Sequence, residues 1–265
     1  ILVEQNKPLL VENIETPNKL KVGQILVKIF YTGICGSQIG EITGVKGHDK
    51  YLPHLLGHEA SGEVIEIGDG VKKLVKGDRV ILHWMKSEGI NSETPEYKLK
   101  GRKINAGLVT TFNDYAIVSE NRCTKIEKDI DLKIAALFGC AVTTGFGVIE
   151  NKAKLKIGES IIIYGSGGVG LSIIKAASLS SAYPIIAVDI HEKRLKLAHA
   201  AGATHIFNGH SKNLNELLYE VNVGKKFDVF IDNTGQTEII EFGYKITKQD
   251  GRIILVGVPK EKNNI

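Results

Sequence analysis

Tyr164-Gly165-Ser166-Gly167-Gly168-Val169-Gly170 follows a short apolar run, Ser160 to Tyr164, and opens a helix-like stretch. Glycines at 165, 167 and 170 have the spacing by which a strand–turn–helix unit receives a dinucleotide. The first permits the turn, the second lets backbone approach a pyrophosphate, and the third lets helix pack on strand. The phosphates then meet the unpaired N–H groups of a helix N-terminus. A glycine turn alone is a weak signal, but Asp189 ends the next apolar run about 20 residues further on. A carboxylate there accepts hydrogen bonds from an adenosine ribose diol and repels a 2'-phosphate. The pattern points to NAD over NADP, with Arg194 the nearby group that would serve a phosphate.

The other chemistry lies in thiols and imidazoles. Cys35 sits in Gly33-Ile34-Cys35-Gly36-Ser37, His58 in Leu55-Leu56-Gly57-His58-Glu59, and Cys140 in Phe138-Gly139-Cys140-Ala141. Their wide spacing is not that of the close ligand pairs that mark structural zinc. Two readings stay open on the residues alone. They are buried apolar thiols, or they are two cysteines and a histidine that leave a zinc ion one open position, a set suited to catalysis. Glycines beside each candidate, where backbone is free to turn, favour the second.

Composition bounds these readings. The chain has 265 residues, with 34 Lys+Arg against 30 Asp+Glu, a net +4 spread along its length. No basic cluster marks a nucleic-acid footprint, and no apolar run is long enough to span a membrane. Three cysteines cannot all pair and read as thiols of a reducing compartment, which implies a cytoplasmic protein.

Two rhythms divide the chain into expected domains 1–150 and 151–265. The first has β-branched runs after glycine turns, at 23–31, 63–67, 77–82 and 112–118, as in a mixed β-barrel. The second alternates buried strands at 160–164, 185–188, 204–207, 228–231 and 252–256 with helices at 171–179, 192–200, 214–221 and 238–246. That is an α/β parallel sheet covered on both faces. The polar stretch from Met85 to Ile104 reads as a surface loop, and His48 and His54 as surface groups.

Several marks in order now carry a resemblance: Cys35-Gly36-Ser37, the block Gly57-His58-Glu59-Ala60-Ser61-Gly62-Glu63-Val64, the turn Gly77-Asp78-Arg79-Val80, Cys140 with Thr144-Gly145, and the glycine turn at 165–170. Over nearly its whole length the chain resembles the zinc-containing medium-chain alcohol dehydrogenases. The resemblance implies a GroES-like catalytic domain and a Rossmann domain. It matches Cys35, His58 and Cys140 to the zinc ligands, and Glu59 to a carboxylate behind the metal that can become a fourth ligand. It matches Ser37 to the hydroxyl that takes the substrate proton, Trp84 to an aromatic wall of the substrate pocket, and Thr144 and Val169 to the nicotinamide region. It implies an NAD-dependent oxidoreductase for an alcohol or polyol and the matching aldehyde or ketone, assembled as a dimer or tetramer.

The departures are specific. Gln38 stands where many relatives have an Asp bonded to the zinc histidine, and Gly40 where some have a relay histidine. The 85–104 segment holds no cysteine, so one catalytic zinc and no structural zinc are expected. Relatives continue past the fifth sheet strand, so a C-terminally incomplete member is expected. The alternatives are a zinc-free quinone-type reductase of the same fold, against which the Cys/His set argues, and a non-catalytic nucleotide-binding fragment.

Overall fold

The computed structural model describes residues 1–45 and 47–258. The tail 259–265, expected to follow the fifth strand of the parallel sheet, lies outside the described residues. The chain divides into two compact units, Ile1–Cys140 and Ala141–Ile265. The rhythm change suggested 150/151 instead. The division comes earlier because the helix after Cys140 packs on a helix of the second unit.

In the first unit the strands are β1 (Gln24–Thr32), β2 (Ala60–Ile67), β3 (Arg79–Leu82), β4 (Tyr97–Leu99), β5 (Arg102–Ile104), β6 (Tyr115–Ser119) and β7 (Cys123–Lys125). Five form a sheet in the order β6-β1-β2-β3-β7, antiparallel throughout. Alternate residues Ile25, Val27, Val64, Val80, Leu82, Ala116 and Val118 bury into one cluster, as period-2 patterning requires. Register slips in β1, between Leu26 and Val27 and between Ile29 and Tyr31, bend the sheet. Gly62 allows β1 and β2 to close there, since a Cβ would lie 2.2 Å from the Lys28 carbonyl oxygen. Helices α1 (Gly36–Ile42) and α2 (Leu132–Ala135) complete the unit.

The expected loop from Met85 to Ile104 is corrected at its end, where β4 and β5 pair as a hairpin. Its two-residue turn places Lys100 and Gly101 at φ 51° and 76°, the left-handed pair of a type I′ turn. Tyr97 and Ile104 are buried with Leu20, Leu55 and Ile117. Lys-Gly is a weaker hairpin signal than Asn-Gly, and the flanking charges hide the two apolar anchors.

The second unit holds helices α3 (Ala141–Gly147), α4 (Gly168–Leu179), α5 (Glu192–Ala201), α6 (Leu214–Val221) and α7 (Thr237–Ile246), with a π turn at Val148–Ala153. Its strands are β8 (Ile161–Tyr164), β9 (Ile185–Asp189), β10 (His205–Asn208), β11 (Phe227–Asp232) and β12 (Thr247–Leu255). They lie parallel in the order β10-β9-β8-β11-β12. Every residue of β8 and β9 is buried. Ile161 and Ile163 join one cluster, Ile162 and Tyr164 the other, so the sheet is covered on both faces. The strand order reverses between β8 and β11. In open α/β sheets, ligands bind beyond the carboxyl ends of the strands at such a switch point. Among the described residues, no single helix is long and apolar enough to cross a membrane.

Candidate metal centre and nucleotide turn

Three local devices bring Cys35, His58 and Cys140 together in the first unit. Cys35 caps α1 with an extended backbone, φ −88° and ψ 148°. His58 follows a segment pinned on both sides: Leu55 N–H donates to the Asn105 carbonyl, and Thr111 and Phe112 N–H both donate to the Leu56 carbonyl. Gly57, at φ 98°, turns that segment, and a Cβ there would lie 2.4 Å from the Thr111 hydroxyl. Cys140 follows the 3-10 turn Ala136–Gly139.

Glu59 is the common anchor. It is 3% exposed. A Cβ on Gly33 would lie 2.6 Å from its Oε1, and a Cβ on Gly139 would lie 2.7 Å from its Cβ and 2.4 Å from the Leu82 carbonyl oxygen. Both cysteine arms therefore pack by a bare glycine against the residue that follows His58. The two sulfurs and an imidazole nitrogen lie within 4.8 Å of one another. This spacing, with two thiols and an imidazole, fits zinc. His58 Nε2 is also sealed from solvent, as an atom reserved for a ligand would be. Hydrogen bonding to Cys140, and then to His58, holds the Cys35 thiol well below its ordinary range. The thiolate is the form that ligates.

Gln38, one turn into α1 and buried, places its amide nitrogen 2.7 Å from His58 Nδ1. Its Oε1 is buried without a partner. For Nε2 of the ring to be a ligand, the ring proton must sit on Nδ1 and needs an acceptor. A half-turn of the amide supplies Oε1. Gln38→Leu should then weaken zinc binding by about 10–100-fold, while Gln38→Glu keeps an acceptor and retains it. Competition against a chromophoric chelator measures both, and unchanged affinity in Gln38→Leu would deny Gln38 this role.

The remaining expected residues of this unit are placed as follows. Ser37 stands beside Cys35 with its hydroxyl sealed from solvent. Trp84 is 46% exposed just beyond β3. His54 is not a surface group: Nε2 lies 2.7 Å from Asp49 Oδ2 and Nδ1 lies 2.7 Å from the Leu55 carbonyl, which fixes the segment leading to His58.

In the second unit the glycine turn has the conformation its spacing requires. Gly165, at φ 90°, leaves β8. A Cβ on Gly170 would lie 2.0 Å from the Gly165 carbonyl oxygen, so only glycine lets α4 meet the strand. A Cβ on Gly167 would meet nothing within 4 Å, and Gly168 nothing nearer than 3.8 Å. The N-terminus of α4 thus presents Gly168, Val169 and Gly170 N–H groups with room for an anion in front. Asp189 accepts from Ser166 N–H at 2.7 Å and His191 N–H at 2.9 Å, and Arg194 lies 3.7 Å from it. Arg194 is therefore partly engaged by the carboxylate. Thr144 lies on α3, which packs closely on α4 where a Cβ on Gly145 would lie 2.5 Å from that of Ser172.

Asn233 was not anticipated from sequence. Its amide donates to the Gly165 carbonyl at 3.2 Å, and it follows β11 on the far lip of the switch point. The only sequence signal was the polar turn Asp232-Asn233-Thr234-Gly235 after a buried strand.

Comparison with known proteins agrees with both halves. Residues 21–128 match the alcohol dehydrogenase GroES-like domain, and residues 168–265 match the zinc-binding dehydrogenase domain. An alcohol dehydrogenase of Malus domestica is 30% identical over 285 residues, spanning 97% of this chain and 74% of its own. The S-(hydroxymethyl)glutathione dehydrogenase of Synechocystis sp. is 27% identical, spanning 97% and 77%. An alcohol dehydrogenase zinc-binding domain protein from Burkholderia ambifaria superposes with a TM-score of 0.90 at 26% identity, over 99% of this chain and 77% of its own. Benzyl alcohol dehydrogenase from Acinetobacter calcoaceticus gives 0.83 at 28%, over 95% and 74%. With the candidate metal-binding triad and the nucleotide turn both in place, the chain belongs to the zinc-binding medium-chain alcohol dehydrogenase family.

Proposed function

We propose that the chain transfers hydride between NAD and an alcohol or polyol, or the matching aldehyde or ketone, at a single catalytic zinc. The observation that carries this is the convergence of Cys35, His58 and Cys140 within 4.8 Å. Zinc held by these three residues supplies Lewis acidity that lowers the pKa of an alcohol, and NAD supplies the hydride acceptor.

The chain's own residues do the rest. Ser37 takes the alcohol proton at its hydroxyl, which is sealed from solvent beside Cys35. Gly40 leaves no imidazole to pass that proton on, so water or a ribose hydroxyl carries it out. Gln38 fixes the ring of His58, and Glu59 holds both cysteine arms and, on the family pattern, is the carboxylate that would move in as a fourth ligand. Trp84 walls the substrate pocket. Thr144 and Val169 support the nicotinamide, and the N–H groups at 168–170 take the pyrophosphate.

Asp189 accepts the ribose diol and favours NAD over NADP. A carboxylate offers about four acceptor sites, of which the two N–H donors use part. A cytoplasmic homo-oligomer, dimer or tetramer, is the accompanying expectation.

Zinc analysis with a panel of alcohols and aldehydes tests the reading. We expect near one equivalent of zinc and NAD reduction that stops on chelation. Zinc below roughly a tenth of an equivalent after metal-replete purification would refute it. The ratio of kcat/KM for NAD against NADP tests Asp189 separately.

A further inference from the structure

Away from the cysteines, the first unit ties three segments into one knot. The Glu120 carboxylate accepts from Lys72 and Lys73 N–H at 2.7 and 2.8 Å and from Ile90 N–H at 2.9 Å. Ser87 N–H donates to the Asn121 carbonyl, and His83 N–H donates to the Arg122 carbonyl. Lys73 Nζ reaches the Glu88 carbonyl at 2.7 Å. All three segments therefore meet at the short turn Glu120–Arg122.

Arg122 in that turn has no counterpart. It is 5% exposed, and its Nε is sealed from solvent without a hydrogen-bond acceptor. Among the described residues no carboxylate forms an ion pair with it. Glu120 is engaged instead by the three backbone amides. A guanidinium presents five donors in a fixed fork, and a buried donor left without an acceptor is costly. Its neighbourhood adds positive charge. Burial first, and then Arg122 and Lys73, hold the His83 imidazole below its ordinary pKa. His83 is itself occupied, with Nδ1 at 2.8 Å from the Met85 carbonyl and Nε2 at 2.8 Å from the Thr124 hydroxyl.

We infer that Arg122, with Lys73, forms a binding site for a small oxyanion, phosphate or a phosphate monoester. The site shares no side chain with the Cys35 cluster. The fork of Arg122 suits two oxygens of one phosphoryl group, and Lys73 adds a point charge at the exposed side. An anion there would also fasten the 83–90 segment to the 120–122 turn.

Trp84 is the sole tryptophan and adjoins His83, so its fluorescence reports occupancy. Inorganic phosphate is titrated into the full chain against sodium chloride of equal ionic strength, with the melting temperature followed in parallel. A saturable fluorescence change and a rise in melting temperature with phosphate alone are expected. Arg122→Gln should weaken the response by about tenfold or more, as loss of charge-assisted hydrogen bonds implies. Lys73→Gln, at an exposed side chain, should weaken it several-fold, and it decides the matter if Arg122→Gln does not fold. Glycerol phosphate in place of phosphate separates the sources: tighter binding assigns an ester, weaker binding the free ion. Equal responses to phosphate and chloride, or unchanged phosphate affinity in the variants, would overturn the site.

Discussion

Cys140→Ser should cost the protein its zinc while leaving it folded. Structural zinc binds at roughly 10–16 kcal/mol through four ligands, which averages about 3 kcal/mol, or about a hundredfold in affinity, for each. A serine hydroxyl does not ionise at neutral pH and cannot replace a thiolate. NAD-linked turnover should fall with the metal content. Cys123→Ser is the matched control. Cys123 is wholly buried in the sheet core, and burial pushes its thiol well up. A hydroxyl there should cost about 1–3 kcal/mol of stability, with zinc and turnover intact. The two variants should therefore separate metal content from melting temperature in opposite directions. Retention of a full equivalent of zinc by Cys140→Ser, after dialysis against a chelator, would remove Cys140 from the ligand set.

The second large effect concerns the glycine turn. Gly170→Ala places a methyl 2.0 Å from a backbone oxygen. Neither atom belongs to a flexible side chain, so β8 and α4 must part. Overpacking of this kind costs about 1–3 kcal/mol, and NAD affinity should fall with the distorted turn. Gly167→Ala should behave differently. Its φ of −73° suits any residue, and its methyl meets no protein atom within 4 Å. The melting temperature should stay within about a degree or two, since an unburied methyl alters little. NAD binding should nevertheless fall by tenfold or more if a pyrophosphate fills that space. Calorimetric titration with NAD alongside thermal melts reads both. Full NAD affinity in Gly167→Ala would place the cofactor elsewhere.

Much of this arrangement was legible in the residues. Alternation marked β2 and the parallel strands because each must bury a face. The glycine turn declared itself because Gly165 and Gly170 have no permissible substitute. What stayed hidden depended on contacts between distant residues. Helix α1 carries two glycines, Gly36 and Gly40, which disfavour a helix by about 1 kcal/mol each, so tertiary context must decide it. The hairpin of β4 and β5 rests on a turn led by Lys100, a residue that seldom takes positive φ. The spacing of Cys35, His58 and Cys140 gave no metal pattern. Their meeting was one of two open readings of the residues, matched to a ligand set through family resemblance, and the packing of Gly33 and Gly139 on Glu59 was not anticipated at all. The partner of the His58 ring was readable as a departure at Gln38, but the unpaired amide oxygen was not.

The grip of two bare backbones on one acidic side chain has a consequence for how the centre can vary. A longer or shorter group at position 59 would shift two sulfurs together, and the ring one residue earlier with them. Geometry there would be inherited as a block. Successful redesign of the metal preference would then need coordinated replacement at positions 33, 59 and 139, with the coordinating atoms themselves left alone.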